Sequence, residues 1–262
     1  RKAVSSRSMR RLQSITNNLA PILAIAAVLL IWLSVTESGV MPAYMLPSPV
    51  DVCSALVKDF STLMEHAAVT LTEAFAGLGI GILLSFVIAT LMDRFNFLYK
   101  AFYPLMVITQ TIPTVAIAPL LVLWMGFGMA PKITLVVITT FFPITVSLLD
   151  GYRSADPDAV ALLRSMGAGK FQIFRYIKFP SSIGHFFSGL RVSASYSVVG
   201  AVIAEWLGGF EGLGVYMTRV RKAYAFDKMF AVIIFIIIIS LLLMLLVSVI
   251  KKLSMPWERK GD

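Results

Sequence analysis

Cysteine and histidine are almost missing from this 262-residue chain. The single cysteine, Cys53, excludes an intrachain disulfide and any cysteine-based metal cluster. The two histidines, His66 and His185, lie far apart, and no pattern of acids or thiols around them suggests a metal centre or a nucleophile–base pair. Charge is also scarce, at 14% of residues against about 25% in an ordinary soluble domain. A phosphate-cradling loop needs Gly-x4-Gly-Lys-Ser/Thr. The one candidate, Gly167-Ala168-Gly169-Lys170, lacks both the upstream glycine and the hydroxyl residue. The chain is therefore expected to bind no nucleotide, to hold no cofactor or metal, and not to be an enzyme.

What the chain has instead is apolar length. Hydrophobic residues make up 58% of it, and its mean hydropathy is +0.85. Met229–Ile250 carries no charge over 22 residues. At about 1.5 Å per residue that run covers roughly 33 Å, enough for a hydrocarbon core of about 30 Å. Five further runs follow the same logic: Leu19–Val35, Ala74–Met92, Ala101–Met125, Ile133–Leu149 and Ile183–Ala204. The expectation is an all-α, polytopic membrane protein with six transmembrane helices. A basic N-terminal segment, 1–18, precedes a six-span domain, 19–250, and a charged tail, 251–262, follows. The basic start and apolar Leu19–Val35 resemble a signal peptide, but Thr36-Glu37-Ser38-Gly39 is no small-residue cleavage pattern, so an uncleaved span is expected.

The net charge of +9 is not spread as a nucleic-acid patch. Sixteen Lys and Arg fall in segments 1–18, 93–100, 150–182 and 251–262, and six in 36–73, 126–132 and 205–228. That asymmetry predicts cytoplasmic N- and C-termini, although Arg219, Arg221, Lys222 and Lys228 sit on the outer side. Glycines at 77, 79 and 81 suit close helix packing in lipid. Pro104, Pro113 and Pro119 interrupt the third run, where freed carbonyls need new partners. Beside Pro113, Gln110 and Thr111 are candidate pathway-lining groups, as are Ser193, Tyr196 and Glu205 on the fifth run. For Glu205, helix-end anchoring or gating is an alternative. Arg191, a charge inside that run, is expected to find a structural partner, with substrate contact as the alternative.

Segment 150–182 carries the most information. Asp156-Pro157-Asp158 starts a helix, Gly167-Ala168-Gly169 breaks it, and Lys170–Phe179 begins another that Pro180 is expected to end. Gly167 is followed ten residues later by Ile177-Lys178-Phe179-Pro180. This resembles the cytoplasmic signature of bacterial ABC importer permeases, a Gly followed by Ile-x-Leu-Pro. Phe replaces Leu, and Ala161-Leu162-Leu163 stands where the family has Glu-Ala-Ala. Leu46-Pro47-Ser48-Pro49, the run 66–92, Gln110-Thr111-Ile112-Pro113, Pro119-Leu120 and Trp124-Met125-Gly126 are similar to the nitrate/sulfonate/taurine permease group. Within it, Glu205-Trp206-Leu207 with Gly212-Leu213-Gly214 is most similar to permeases for thiamin-pyrimidine precursors or riboflavin.

The resemblance implies a type I ABC importer transmembrane fold in a bacterial inner membrane. It implies a second permease copy, two cytoplasmic ATPase subunits holding the ATP and Mg, and an extracytoplasmic binding protein. The ATPase-coupling residues it implies are Asp158, Ala161, Leu162, Leu163, Gly167, Ala168, Ile177 and Pro180. A flat heterocyclic substrate would call for aromatic and hydrogen-bonding lining such as Tyr196 and Gln110, a sulfonate or nitrate for basic lining. A secondary carrier, a channel or an intramembrane enzyme would lack the docking segment or need a constellation that the sequence does not display.

Overall fold

The computed structural model describes residues 2–42 and 44–256, and the regular structure among them is helical throughout. Residues 257–262 of the predicted tail lie outside the described residues. Five helices are long and apolar enough to cross a bilayer: Leu19–Glu37 within α1 (Lys2–Glu37), α3 (Phe60–Arg94), α6 (Met129–Arg153), the continuous helix Lys170–Gly208, and α11 (Phe226–Ser254). A bent pair, α4 (Asn96–Thr111) and α5 (Thr114–Met125), brings the number to six if it counts as one span.

The chain divides into two compact units. The first comprises residues 1–60 and 220–231. Here Leu46-Pro47-Ser48-Pro49 is the start of α2 (Pro49–Lys58). The Ser48 hydroxyl accepts from the Asp51 amide, the Asp51 carboxylate accepts from the Ser48 amide, and Pro49 sits where no donor is required. Trp32 Nε1 donates to the Pro47 carbonyl at 3.1 Å, and Lys228 pairs with Asp59 at 2.8 Å.

The second unit holds residues 61–219 and 232–262. Its centre is α3, α6 and α9 (Phe179–Gly208), packed over Leu78, Ile144, Leu148, Tyr152, Leu190 and Ala194. Glycine sets how closely these helices approach. A Cβ at Gly77 would lie 2.5 Å from the Val136 side chain, one at Gly81 2.5 Å from Thr140 Oγ1, and one at Gly189 2.6 Å from Ser147 Oγ. Gly79, on the opposite side of α3, meets open space. The 77/81 pair is one turn apart and faces α6, as small residues do at helix interfaces in lipid.

Proline explains both departures from the expected spans. The third run does not cross as one rod: its axis turns by 102° between α4 and α5. Pro113 has no N–H and pushes Ile112 into extended backbone (φ −82°, ψ 124°). Thr109 and Thr111 hydroxyls donate back to the Met106 and Ile108 carbonyls, at 2.7 and 2.8 Å. Pro104 and Pro119 stay inside α4 and α5. Pro143 stays inside α6, where Ser193 from α9 and Ser85 from α3 donate to the neighbouring Thr140 and Phe141 carbonyls at 2.9 and 3.0 Å. Pro180, expected to end a helix, does not. The chain passes from α8 (Lys170–Ile173) through a π-helical turn, Phe174–Lys178, directly into α9. In that widened turn the Phe179 amide reaches the Phe174 carbonyl, which accommodates a ring that would otherwise strike the preceding turn.

Close packing at Gly189 yields a test. Gly189→Val should lower the thermal unfolding midpoint of the purified chain, by the equivalent of about 1–3 kcal/mol for an overpacked core. Gly79→Ala should leave the midpoint unchanged or raise it.

Candidate functional site

The break at Pro113 opens a cleft of about 270 Å³ between α4, α5, α6 and α9. Gln110 and Tyr196 line it, with Thr109, Thr114 and Thr139 as further polar groups and Ile112, Ile138, Val199 and Ile203 as apolar wall. None of its lining residues carries a charge. The Tyr196 side chain is half exposed, so its hydroxyl can reach a guest, and Gly200 lets α9 approach Thr139 and Val136 of α6 closely. The cleft brings together two residues singled out from the sequence, Gln110 and Tyr196. Thr111 lies at the same break but bonds its own helix and is not in the lining. Ser193 and Glu205 are buried inside the chain, Ser193 against the Thr140 carbonyl. Arg191 is exposed on α9, outside the cleft lining, and no ion pair among the described residues holds it.

Segment 154–180 forms a short protruding unit. The Asp156 carboxylate accepts from the Asp158 amide and caps α7 (Pro157–Ser165). The helix ends in two reversed hydrogen bonds, Gly167 N–H to Arg164 C=O and Ala168 N–H to Leu163 C=O, both 2.9 Å. That closure requires a left-handed residue, and Gly167 supplies it at φ +82°. No residue of α7 is buried. Leu162, Met166 and Phe171 are each more than 60% exposed, so the tip presents apolar side chains at its surface. Asp158 and Ala161 are exposed beside them, Leu163, Ala168 and Ile177 are half-buried, and Pro180 is exposed at the first turn of α9.

Two sets of charged and polar contacts, missed from the sequence, clasp α3, α6 and α9 at opposite ends. Near segment 154–180, Lys178 in the π turn holds both oxygens of Asp93 on α3, at 2.6 and 2.8 Å. Arg153 at the end of α6 stacks 4.1 Å from the Tyr99 ring centroid and donates to its hydroxyl. At the other end, Lys132 on α6 pairs with Glu73 on α3 at 2.6 Å, both buried. Glu205 on α9 accepts from Thr70 Oγ1 at 2.7 Å and from the Gly214 amide at 2.6 Å. The Thr70 hydroxyl accepts from the Leu213 amide, and His66 Nδ1 accepts from the Gly212 amide. The glycines of the 208–214 loop are required here: a Cβ on Gly212, at φ +120°, would fall on the Glu205 carboxyl group. Isolated charges at the edges of apolar runs were the available signal, since charges in such places are paired or functional.

Residues 79–260 match the family model described as "Binding-protein-dependent transport system inner membrane component". The chain is similar to a "Probable ABC transporter permease protein" of Haemophilus influenzae, 36% identical over 82% of this chain and 88% of that protein. It is similar to the formylaminopyrimidine transport permease protein ThiX of Halalkalibacterium halodurans, 33% identical over 92% and 97%. The riboflavin transport system permease protein RibX of Chloroflexus aurantiacus is 27% identical over 91% of each. The fold is similar to that in a crystal structure of an amino acid ABC transporter, with a TM-score of 0.63 over 75% of this chain and 95% of that one, at 17% identity.

The loop around Glu205 is open to test. Gly212→Ala should loosen it, and hydrogen exchange at the Leu213 and Gly214 amides should quicken at least tenfold while amides in the middle of α6 stay unchanged.

Proposed function

The chain belongs to the family of binding-protein-dependent transport system inner membrane components, and from that premise we propose how this permease subunit of an ABC transporter works. Two copies of the chain form the pathway. Two cytoplasmic ATPase subunits, which hold the ATP and Mg, drive it, and an extracytoplasmic binding protein delivers the solute. The N- and C-termini lie in the cytoplasm, as the distribution of Lys and Arg favours. Segment 154–180 is the grip for the ATPase: a capped helix with an exposed apolar tip of Leu162, Met166 and Phe171 suits insertion in a groove on another protein.

The observation that carries the substrate reading is the uncharged cleft at the Pro113 break. Gln110 offers an amide and Tyr196 a ring and a hydroxyl, a set that suits a small flat heterocycle with hydrogen-bonding edges. A sulfonate or nitrate would need a cation or convergent N–H groups, and the lining has neither. Relatives whose names specify formylaminopyrimidine and riboflavin support the same choice. We therefore propose an imported nitrogen heterocycle of pyrimidine-like size.

In the proposed cycle, closure of the ATPase pair displaces segment 154–180. The clasps Lys178–Asp93 and Arg153–Tyr99 pass the displacement to α3 and α4, and the spans rock as rigid bodies between two packings. Two tests follow for the reconstituted complex with its binding protein. Leu162→Asp should abolish uptake while ATP hydrolysis continues at the basal rate; uptake at the normal rate, or uptake without ATP, would refute the grip. Gln110→Leu should raise the half-saturating concentration for a pyrimidine substrate about tenfold, the worth of one hydrogen bond of about 1–1.5 kcal/mol, with hydrolysis coupling intact.

A further inference from the structure

The buried cluster at the end of the bundle away from segment 154–180 does not balance its charges. Two carboxylates, Glu73 and Glu205, face one ammonium, Lys132. Glu73 and Glu205 are at most 1% exposed and Lys132 is 5% exposed. The charged groups that Glu73 meets are Lys132 from α6 and Glu205 from α9. Those that Glu205 meets are Glu73 and Lys132, while α10 (Leu213–Lys222) and the loop before it offer Glu205 only the neutral Gly214 amide. His66 lies two turns before Glu73 on α3, turned toward Gly212, and the charges near it are Arg219, Glu211 and Glu65. With every group in its ordinary aqueous state the cluster holds one net negative charge out of contact with water, an arrangement that a proton relieves.

The hydrogen bonds indicate where that proton sits. Both oxygens of Glu205 already receive donors, Thr70 Oγ1 and Gly214 N–H, which suits a carboxylate that only accepts. Glu73 Oε1 receives Lys132 Nζ. Glu73 Oε2 is the one buried side-chain polar atom among the described residues with no hydrogen-bond partner. An orphaned buried oxygen beside an acceptor carboxylate is where a carboxylic acid proton resolves both the charge and the missing bond.

We infer that Glu73 is a proton-binding site: with this end of the bundle closed, Glu73 is the neutral acid, its proton on Oε2 and turned to Glu205, so that Lys132 and Glu205 are the only charges. A crevice of about 450 Å³ lined by Thr72, Glu73, Lys132 and Glu211 lies alongside. Parting α3 from α9 there wets Glu73, which gives its proton to water. The two carboxylates then repel each other across the gap, and closure takes a proton back. Opening and closing this end of the permease therefore exchange one proton with the medium.

The readout is infrared spectroscopy of the purified full-length chain at neutral pH, independent of what is transported. Wild type should show a protonated carboxyl band that disappears in Glu73→Gln with no loss of carboxylate absorption. The same band should disappear in Glu205→Gln, because Glu73 then ionises as the partner of Lys132. A wild-type spectrum without such a band, or a Glu73→Gln spectrum that loses carboxylate absorption instead, overturns the inference. Thermal midpoints give the second arm. Each single Gln variant keeps the cluster neutral and should melt close to wild type, the double variant leaves Lys132 uncompensated and should melt far lower, and adding Lys132→Met should restore it. A double variant as stable as the singles also overturns it.

Discussion

The second unit depends on one electrostatic constraint: a charge removed from water must meet its opposite, or lose its charge. The long helices α3, α6 and α9 are too apolar to specify their own axial register, because one Leu slides past another at little cost. Charged and polar contacts fix it at two levels. On α3 the pairing residues are Glu73 and Asp93, twenty residues or about 30 Å apart, which is the thickness of a hydrocarbon core. Between those levels the interface needs only shape, and glycine supplies it at 77, 81 and 189.

Fixing both ends concentrates adjustment in the middle. Five prolines sit in helices α4 to α6 or between them, Pro131 in the first turn of α6, yet a break occurs only at Pro113. The two places differ in whether neighbouring helices bond the backbone beside the proline. Around Pro143, hydroxyls from two neighbouring helices supply donors, so α6 stays straight enough to pack. Around Pro113 the hydroxyls come from Thr109 and Thr111 on the same helix, which stabilises the end of α4 instead of its continuation. The chain turns, and the space left at the turn is the uncharged cleft.

Legibility in the sequence divides along the same line. The number of apolar runs, the helix–Gly–helix form of 154–180 and the interest of Gln110 and Tyr196 could be read directly, because each rests on local composition or a local breaker. The 102° turn could not: periodicity shows that 101–125 is apolar and proline-rich, but which proline wins depends on neighbours across space. Pro180 misled for the same reason, since a π turn upstream absorbs its ring. Glu73 and Lys132 looked like members of outer loops, being single charges at the edges of apolar runs. Only their juxtaposition, 59 positions apart in the chain, turns two edge charges into an interface. Glu205 read correctly as a helix-end residue, but the glycines that wrap it were visible only as a Gly-rich loop.

Taken together, these features make the proposed grip a lever with a short, stiff arm. Segment 154–180 continues α6 at one end and α9 at the other, with no flexible linker at the α9 side because the π turn keeps the helix unbroken. Lys178 ties that turn to α3, so the three packed helices receive a displacement together. The cleft draws its walls from α6 and α9 on one side and from α4 and α5 on the other. Movement of the packed trio therefore changes the cleft at the Pro113 turn, the one place where the wall is already broken, without disturbing the glycine-packed interface. At the far end, the proposed cycle requires the Glu205 knot to part. It is held by four hydrogen bonds and one ion pair, contacts that water can replace one for one when they separate.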